Sequence, residues 1–81
     1  MISNFFKKNH QYIVLEEFKG FSWTKDLFYK DEVLKFNVAS FSPYDDCYIY
    51  NFIDNGEKSK SCWSKEIDEP TLIAHFRELD N

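Results

Sequence analysis

The chain has 81 residues, a net charge of −4 with His neutral, and an aromatic content of 20%. The negative charge disfavours nonspecific nucleic-acid binding, which needs many Lys and Arg side chains to neutralise phosphates. No stretch approaches the roughly 20 apolar residues of a membrane helix, and residues 1–10 lack the apolar run of a secretory signal. We therefore expect one domain, residues 1–81, without a nucleic-acid or membrane partner, in the cytoplasm with both cysteines reduced.

The first third of the chain reads as a lead-in, a strand and a loop. We expect Phe5 and Phe6 to anchor the lead-in to the domain, because large apolar side chains are scarce in a chain of this length. Residues 12–18 alternate with apolar side chains on both faces, which is typical of a covered strand. Residues 19–27 form a predicted loop that carries Trp23. A tight turn follows, with Asp31 at a left-handed position that Asp tolerates well.

The middle of the chain predicts two strands joined by a turn. In the strand at residues 33–41, we expect Leu34, Phe36 and Val38 to share one face. Residues 42–46 read Ser-Pro-Tyr-Asp-Asp and form the clearest turn of the chain, since Pro fixes one dihedral and Asp bonds the local backbone. The next predicted strand is Cys47–Ile53, rich in strong β-formers.

The C-terminal third predicts a hairpin and a helix. Asn55-Gly56 favours a tight turn with positive dihedrals, and residues 59–67 return as a fourth strand. Pro70 suits the first turn of a helix that begins near Asp68. Helical spacing predicts one apolar stripe on that helix, formed by Leu72, Ile73, Phe76 and Leu79.

These elements predict a mainly β fold: a small SH3-like, partly open barrel of four to five antiparallel strands with a C-terminal helix. The alternative is an α+β fold in which one helix packs on an antiparallel sheet. An open edge would permit strand pairing between copies, so we expect a monomer or a homodimer.

The sequence offers few groups for catalysis or metal binding. Neither a C-x-x-C nor an H-x-x-x-H spacing occurs, and Cys47 and Cys62 read as small buried side chains. We expect His75 to face solvent and the Lys58 and Lys60 pair to be a solvated surface. We predict no enzyme, no catalytic residue, no metal and no cofactor.

Aromatic side chains near turns, beside carboxylates, form the better candidate site. Such residues bury a large area at a small entropy cost, which is why they are enriched at binding hot spots. The predicted binding residues are Trp23, Tyr29, Tyr44, Asp45, Asp46 and Trp63.

Part of the chain, from Tyr12 to Tyr50, resembles the bacterial domain-of-unknown-function family DUF3601. The resemblance lies in a Tyr-x-Val strand, a Glu-x-Leu-x-Phe strand beginning at Glu32, and a Phe-x-Pro-Tyr run from Phe41 to Tyr44. It implies a compact bacterial domain and assigns no catalytic residue.

The sequence therefore favours a non-catalytic protein-binding module that uses turn aromatics and acidic residues. One alternative is a small acidic inhibitor, such as an immunity or anti-defence protein, that blocks a basic toxin or nuclease. Another is a small-ligand enzyme that uses Cys47 or the Asp45–Asp46 pair.

Overall fold

Alternating large side chains bring five strands into one antiparallel sheet. The computed structural model describes residues 5–19 and 26–79. The strands are β1 Gln11–Val14, β2 Phe18–Lys19, β3 Leu27–Phe28, β4 Val33–Ser42, β5 Cys47–Ile53, β6 Ser59–Ser64 and β7 Phe76–Glu78. Among the described residues the five-stranded sheet has the order β6-β5-β4-β1-β7, and β2 and β3 form a separate two-stranded antiparallel sheet. The prediction of a small, mainly β, antiparallel and unclosed fold with one helix is confirmed.

Aromatic rings fill the core between the sheet and the segments that cover it. Phe52 and Phe28 are fully buried, and the ring of Phe76 stacks on Phe52 at 5.1 Å between centroids. The remaining buried apolar residues of this core are Tyr12, Val14, Leu34, Phe36, Tyr50, Cys62 and Leu72. An aromatic core supplies a large buried area from few residues, which suits a short chain.

The lead-in is held on this core, as predicted. The ring of Phe6 lies 5.3 Å from that of Phe36 in a stacked arrangement and also contacts the Tyr12 ring at 5.2 Å. The buried Tyr12 hydroxyl donates a hydrogen bond to the Phe5 carbonyl at 2.9 Å and accepts one from the Lys7 N–H at 2.6 Å. These bonds satisfy a phenol that would otherwise be costly to bury.

A β-bulge in β4 reverses the side-chain pattern that the sequence predicts there. The pairing of β4 with β5 shifts register between Phe36 and Val38. One extra residue turns every following side chain to the other face. Leu34 and Phe36 are therefore buried as predicted, but the placement of Val38 on their face is wrong: its side chain is 49% exposed.

The turns follow the predicted positions with one change of geometry. Asp31 has a φ of 69°, so its left-handed conformation is confirmed, and Asp46 at the β4–β5 turn has a φ of 53°. In the β5–β6 hairpin the positive φ of 62° falls on Glu57. Gly56 does not have a positive φ, so the expectation of positive dihedrals at Asn55-Gly56 is wrong.

The chain after β6 differs most from the prediction. The fourth strand ends at Ser64, and Ile67 lies in a 3₁₀ turn, Glu66–Asp68, instead of a strand. The helix α1 is Glu69–Ile73, with Pro70 in its first turn as predicted. It ends early because the following residues pair with β1: the Leu15 N–H donates to the His75 carbonyl at 2.7 Å. Phe76 is buried through this strand and not through a helical stripe.

The two edge strands of the sheet are protected in different ways. On β6, the outward Ser61 N–H donates to the Asp26 carboxylate at 2.8 Å. The other edge, β7, is three residues long. A capped or short edge is a poor template for another strand.

The helices among the described residues include none that is long and apolar enough to cross a membrane.

Candidate functional site

The structure does not bring the six predicted binding residues together. Tyr29 comes before β4 and Tyr44 follows it, so the ten-residue strand lies between them. Trp63 is half-buried on β6 and lines a different cleft, with Phe18 and His75. Trp23 lies outside the described residues. Tyr44 and its neighbours Asp45 and Asp46 remain together in one turn.

The ring of Tyr29 contacts a lysine of the same chain, Lys60. The Lys60 ammonium donates to both oxygens of the Glu32 carboxylate and to the Leu27 carbonyl, each at 2.8 Å. It also lies 5.0 Å from the Tyr29 ring centroid and 5.6 Å from that of Phe28. The prediction of Lys60 as solvated surface is wrong, since it ties β6 to the chain that precedes β4.

The β4–β5 turn presents its aromatic side chain entirely to solvent. The Ser42 hydroxyl donates to the Asp45 carboxylate at 3.0 Å, and the Cys47 thiol donates to the Asp45 carbonyl at 3.2 Å. These bonds fix the turn on the end of two long strands. Tyr44 at its tip is 99% exposed.

A cleft lies beside this turn because β6 ends opposite β5 there. Ser64 is the register partner of Tyr48, so the next three residues leave the sheet beside the Tyr48 ring. That ring lies 5.1 Å from the ring of its other partner, Phe41. The cleft has a volume of about 250 Å³ and is lined by Phe41, Asp46, Tyr48, Lys65, Glu66 and Ile67.

We name the cleft and the adjoining turn the turn-end surface. It comprises Phe41, Tyr44, Asp45, Asp46, Tyr48, Lys65, Glu66 and Ile67. Two of its apolar side chains are strongly exposed: Phe41 by 49% and Ile67 by 84%. Three carboxylates and one ammonium group accompany them. The sequence identified the turn residues but not Phe41 and Ile67. Each of these two ends a predicted strand, and the sequence does not indicate that their side chains face solvent.

The two cysteines are buried and do not lie opposite each other in the sheet. Register places Cys62 opposite Tyr50, whereas Cys47 pairs with Ser42 on the other neighbouring strand. Both thiols are free, and burial raises the pKa of Cys62 well above its ordinary value. Burial thus disfavours the thiolate, which is the nucleophilic form. This agrees with their interpretation as small buried side chains.

One buried carboxylate is used within the fold. The Tyr50 hydroxyl donates to the Glu69 carboxylate at 2.7 Å, and both residues are buried. Burial, and then the bond to Glu69, raise the pKa of Tyr50. The pair links the start of α1 to β5.

The histidines take part in local structure. The His10 ring nitrogen Nδ1 lies 2.6 Å from the Glu78 carboxylate. His75 is half-buried, with its ring centroid 4.8 Å from that of Phe18, so the expectation of a solvent-facing side chain is wrong. Among residues 5–19 and 26–79, no group of three or more His, Cys, Asp or Glu side chains is arranged to hold a metal ion.

Comparison with known proteins relates this chain to a solved structure by fold. An integron cassette protein from the mobile metagenome of Vibrio cholerae superposes with a TM-score of 0.72 and 18% sequence identity. The match covers 91% of this chain and 88% of that one. No family model and no curated protein matches the sequence, and the resemblance to DUF3601 stays a prediction. At this identity the likeness shows that the two proteins share a fold.

Proposed function

We propose that this protein is a non-catalytic protein-binding module and that its turn-end surface contacts the partner. The observation that carries the proposal is Tyr44, which is 99% exposed on a turn beside the exposed side chains of Phe41 and Ile67. Grouped exposed aromatic and aliphatic side chains are typical of interaction sites, because covering them removes apolar area from water.

The rigidity of the turn supports this proposal. Asp45 receives bonds from the Ser42 hydroxyl and the Cys47 thiol, so the backbone that carries Tyr44 is held before any partner binds. Binding then orders few additional groups, which lowers its entropic cost.

The alternatives receive less support from the arrangement of the side chains. A small-ligand enzyme based on cysteine would need an accessible thiolate, whereas Cys47 is 3% exposed and Cys62 1% exposed. Asp45 is engaged in the turn. A small acidic inhibitor is a special case of the binding module, and the acidic side chains of the turn-end surface favour it. The proposal includes a cytoplasmic location, with which the two free thiols agree.

Site-specific photo-crosslinking tests this function. Tyr44 is replaced with p-benzoylphenylalanine in cells that express the chain, and Tyr29 is replaced in a matched control. Tyr29 is also an exposed tyrosine, at 52%, but lies at the other end of β4. We expect a discrete adduct with one protein from position 44 and at least several-fold less from position 29.

A second substitution separates contact from chance proximity. In the Tyr44 photoprobe background, Ile67→Ser should reduce the adduct several-fold, since Ile67 is 84% exposed and its loss leaves the core intact. Equal adducts from positions 44 and 29, or an adduct that Ile67→Ser leaves unchanged, would contradict the proposed function.

A further inference from the structure

The residues that line the cleft in the turn-end surface determine which kind of side chain can bind there. The rings of Phe41 and Tyr48, with centroids 5.1 Å apart, and the side chain of Ile67 line it. Asp46 and Glu66 line the same cleft and add carboxylate groups to it. A single side chain that fits must therefore lay an apolar or planar body on aromatic rings and end in a cation.

Resting on the proposed function, we infer that the partner inserts an arginine side chain from a basic, partly apolar segment into this cleft. A guanidinium is planar, stacks on aromatic faces and pairs with carboxylates through two parallel hydrogen bonds. A lysine ammonium is a compact, strongly hydrated charge that gains less from a ring. Arginine can contact the aromatic rings and the carboxylates of the lining together.

The charge around the cleft supports a cationic occupant. The lining has two carboxylates against the one ammonium group of Lys65, and Asp45 and Asp68 lie next to it in the chain. Asp46, Glu66 and Asp68 are exposed, so their charges act on an approaching partner. An acidic segment would be repelled here, and a neutral one would gain nothing from the negative charge of the surface.

A substitution of Lys65 distinguishes an arginine side chain in the cleft from a purely apolar one. Its ammonium repels an arginine that enters the cleft but has no such effect on a neutral apolar side chain. Lys65→Gln should therefore tighten binding of an arginine peptide, while Asp46→Asn and Glu66→Gln should weaken it. All three positions are exposed, so these substitutions leave the core unchanged.

A naive library of linear peptides displayed on phage supplies the probe. The library is panned on the wild-type chain and on the Phe41→Ser/Ile67→Ser variant, whose correct folding is checked by circular dichroism. Peptides enriched on the wild type alone are synthesised, and their affinity is measured by fluorescence polarisation. Each arginine is then replaced with citrulline, which keeps the shape and removes the charge.

The expected result is a set of surface-dependent peptides that carry arginine. Charge-assisted hydrogen bonds are roughly twice as strong as neutral ones, so citrulline should weaken binding by about tenfold. Asp46→Asn and Glu66→Gln should weaken it several-fold and Lys65→Gln should strengthen it.

Two outcomes would overturn this inference. In the first, the surface-dependent peptides lack arginine or bind equally well with citrulline; the turn-end surface then still binds protein, and the proposed function stands. In the second, every peptide is enriched equally on the wild type and the variant. The photo-crosslinking at Tyr44 decides the proposed function independently in both cases.

Discussion

Lys60 shows how a single charged residue can act as part of the interior. Its ammonium holds both oxygens of Glu32 and the Leu27 carbonyl at 2.8 Å, and its side chain is 15% exposed. Hydrogen bonds to charged groups in such a partly desolvated position contribute more than an ion pair in open solvent. The residue therefore stabilises the contact between β6 and the chain ahead of β4.

We predict that Lys60→Met destabilises the protein by about 1–3 kcal/mol, because Glu32 loses its cation while remaining half-buried. Urea unfolding followed by circular dichroism measures the loss. Lys58→Met is the matched control: Lys58 is exposed, and we expect a change within about 0.5 kcal/mol. Equal effects of the two substitutions would contradict the role assigned to Lys60.

The sequence could not distinguish these two lysines. Lys58 and Lys60 are the same residue type, two positions apart, with polar side chains around them. Their environments differ because the Lys60 ammonium lies over the rings of Phe28 and Tyr29, which are distant in the chain. A local pattern of charges in the sequence does not indicate such contacts between distant residues.

At the scale of elements, the β5–β6 hairpin has a different turn from the one that its Asn-Gly sequence predicts. The Asp54 carboxylate accepts hydrogen bonds from the N–H groups of Gly56 and Lys58, each at 2.9 Å. The Glu57 N–H donates to the Asp54 carbonyl at 3.0 Å, and Glu57 takes the left-handed conformation. A three-residue loop of this kind places its strained residue one position later than a two-residue Asn-Gly turn does.

We predict that Glu57→Gly stabilises the protein by up to about 1 kcal/mol, because glycine adopts a φ of 62° without steric cost. Gly56→Ala should be neutral or stabilising by about 0.4–1 kcal/mol. A Cβ at Gly56 would meet only the Asp54 carboxylate, at 3.5 Å, among the described atoms. Thermal unfolding of both variants measures these changes.

The alternative turn gives the opposite result. If positive dihedrals lay at Asn55-Gly56, Gly56→Ala would be strained and would lower the stability by about 1 kcal/mol or more. A clear loss for Gly56→Ala together with no gain for Glu57→Gly would contradict the described hairpin.

The β6 edge allows a prediction about association. We expect Asp26→Ala to uncover the Ser61 N–H and to produce self-association at high concentration, since an uncapped edge offers a template for a second strand. Asp26→Asn retains a side-chain oxygen that can accept the bond and should have the same mass as the wild type. Sedimentation equilibrium measures the mass at increasing concentration. An Asp26→Ala variant that associates no more than the wild type would show that the cap has no such role.

Elements with a strong local pattern were predictable, and those set by pairing were not. β5 has the predicted bounds, Cys47–Ile53, because its β-forming residues lie between two clear turns. The bulge after Phe36 and the strand Phe76–Glu78 depend on register with distant partners. Phe76 fits a helical stripe and a buried strand position equally well, so spacing alone could not decide between them.

On the scale of the whole molecule, the candidate site was half predictable for a related reason. The exposed aromatic turn with its carboxylates can be read from the sequence because Pro43 and the two following acids mark it locally. Its grouping with Phe41 and Ile67 requires knowing that β6 ends beside Tyr48. Tyr29, in contrast, precedes the ten-residue strand β4, whereas Tyr44 follows it.

Another property of the whole molecule is that its core holds three weakly acidic groups in their uncharged form, one thiol and two tyrosine hydroxyls. Burial raises the pKa of the Cys62 thiol and of the Tyr12 and Tyr50 hydroxyls. Each group then holds its proton more tightly in the folded chain than in the unfolded one. The stability that this supplies is complete below the unfolded pKa and is lost as pH rises above it.

We therefore predict that the free energy of unfolding falls from about pH 9, where an unfolded cysteine titrates, and falls more steeply above about pH 10, where unfolded tyrosines do. Each group contributes about 1.4 kcal/mol per pH unit. Urea unfolding between pH 7 and pH 11 measures the slope. Cys62→Ala should remove the decline between about pH 9 and 10, and Tyr50→Phe should flatten the part above about pH 10. Tyr44→Phe, at a residue 99% exposed, should leave the whole profile unchanged, and a profile that neither core substitution alters would contradict this origin.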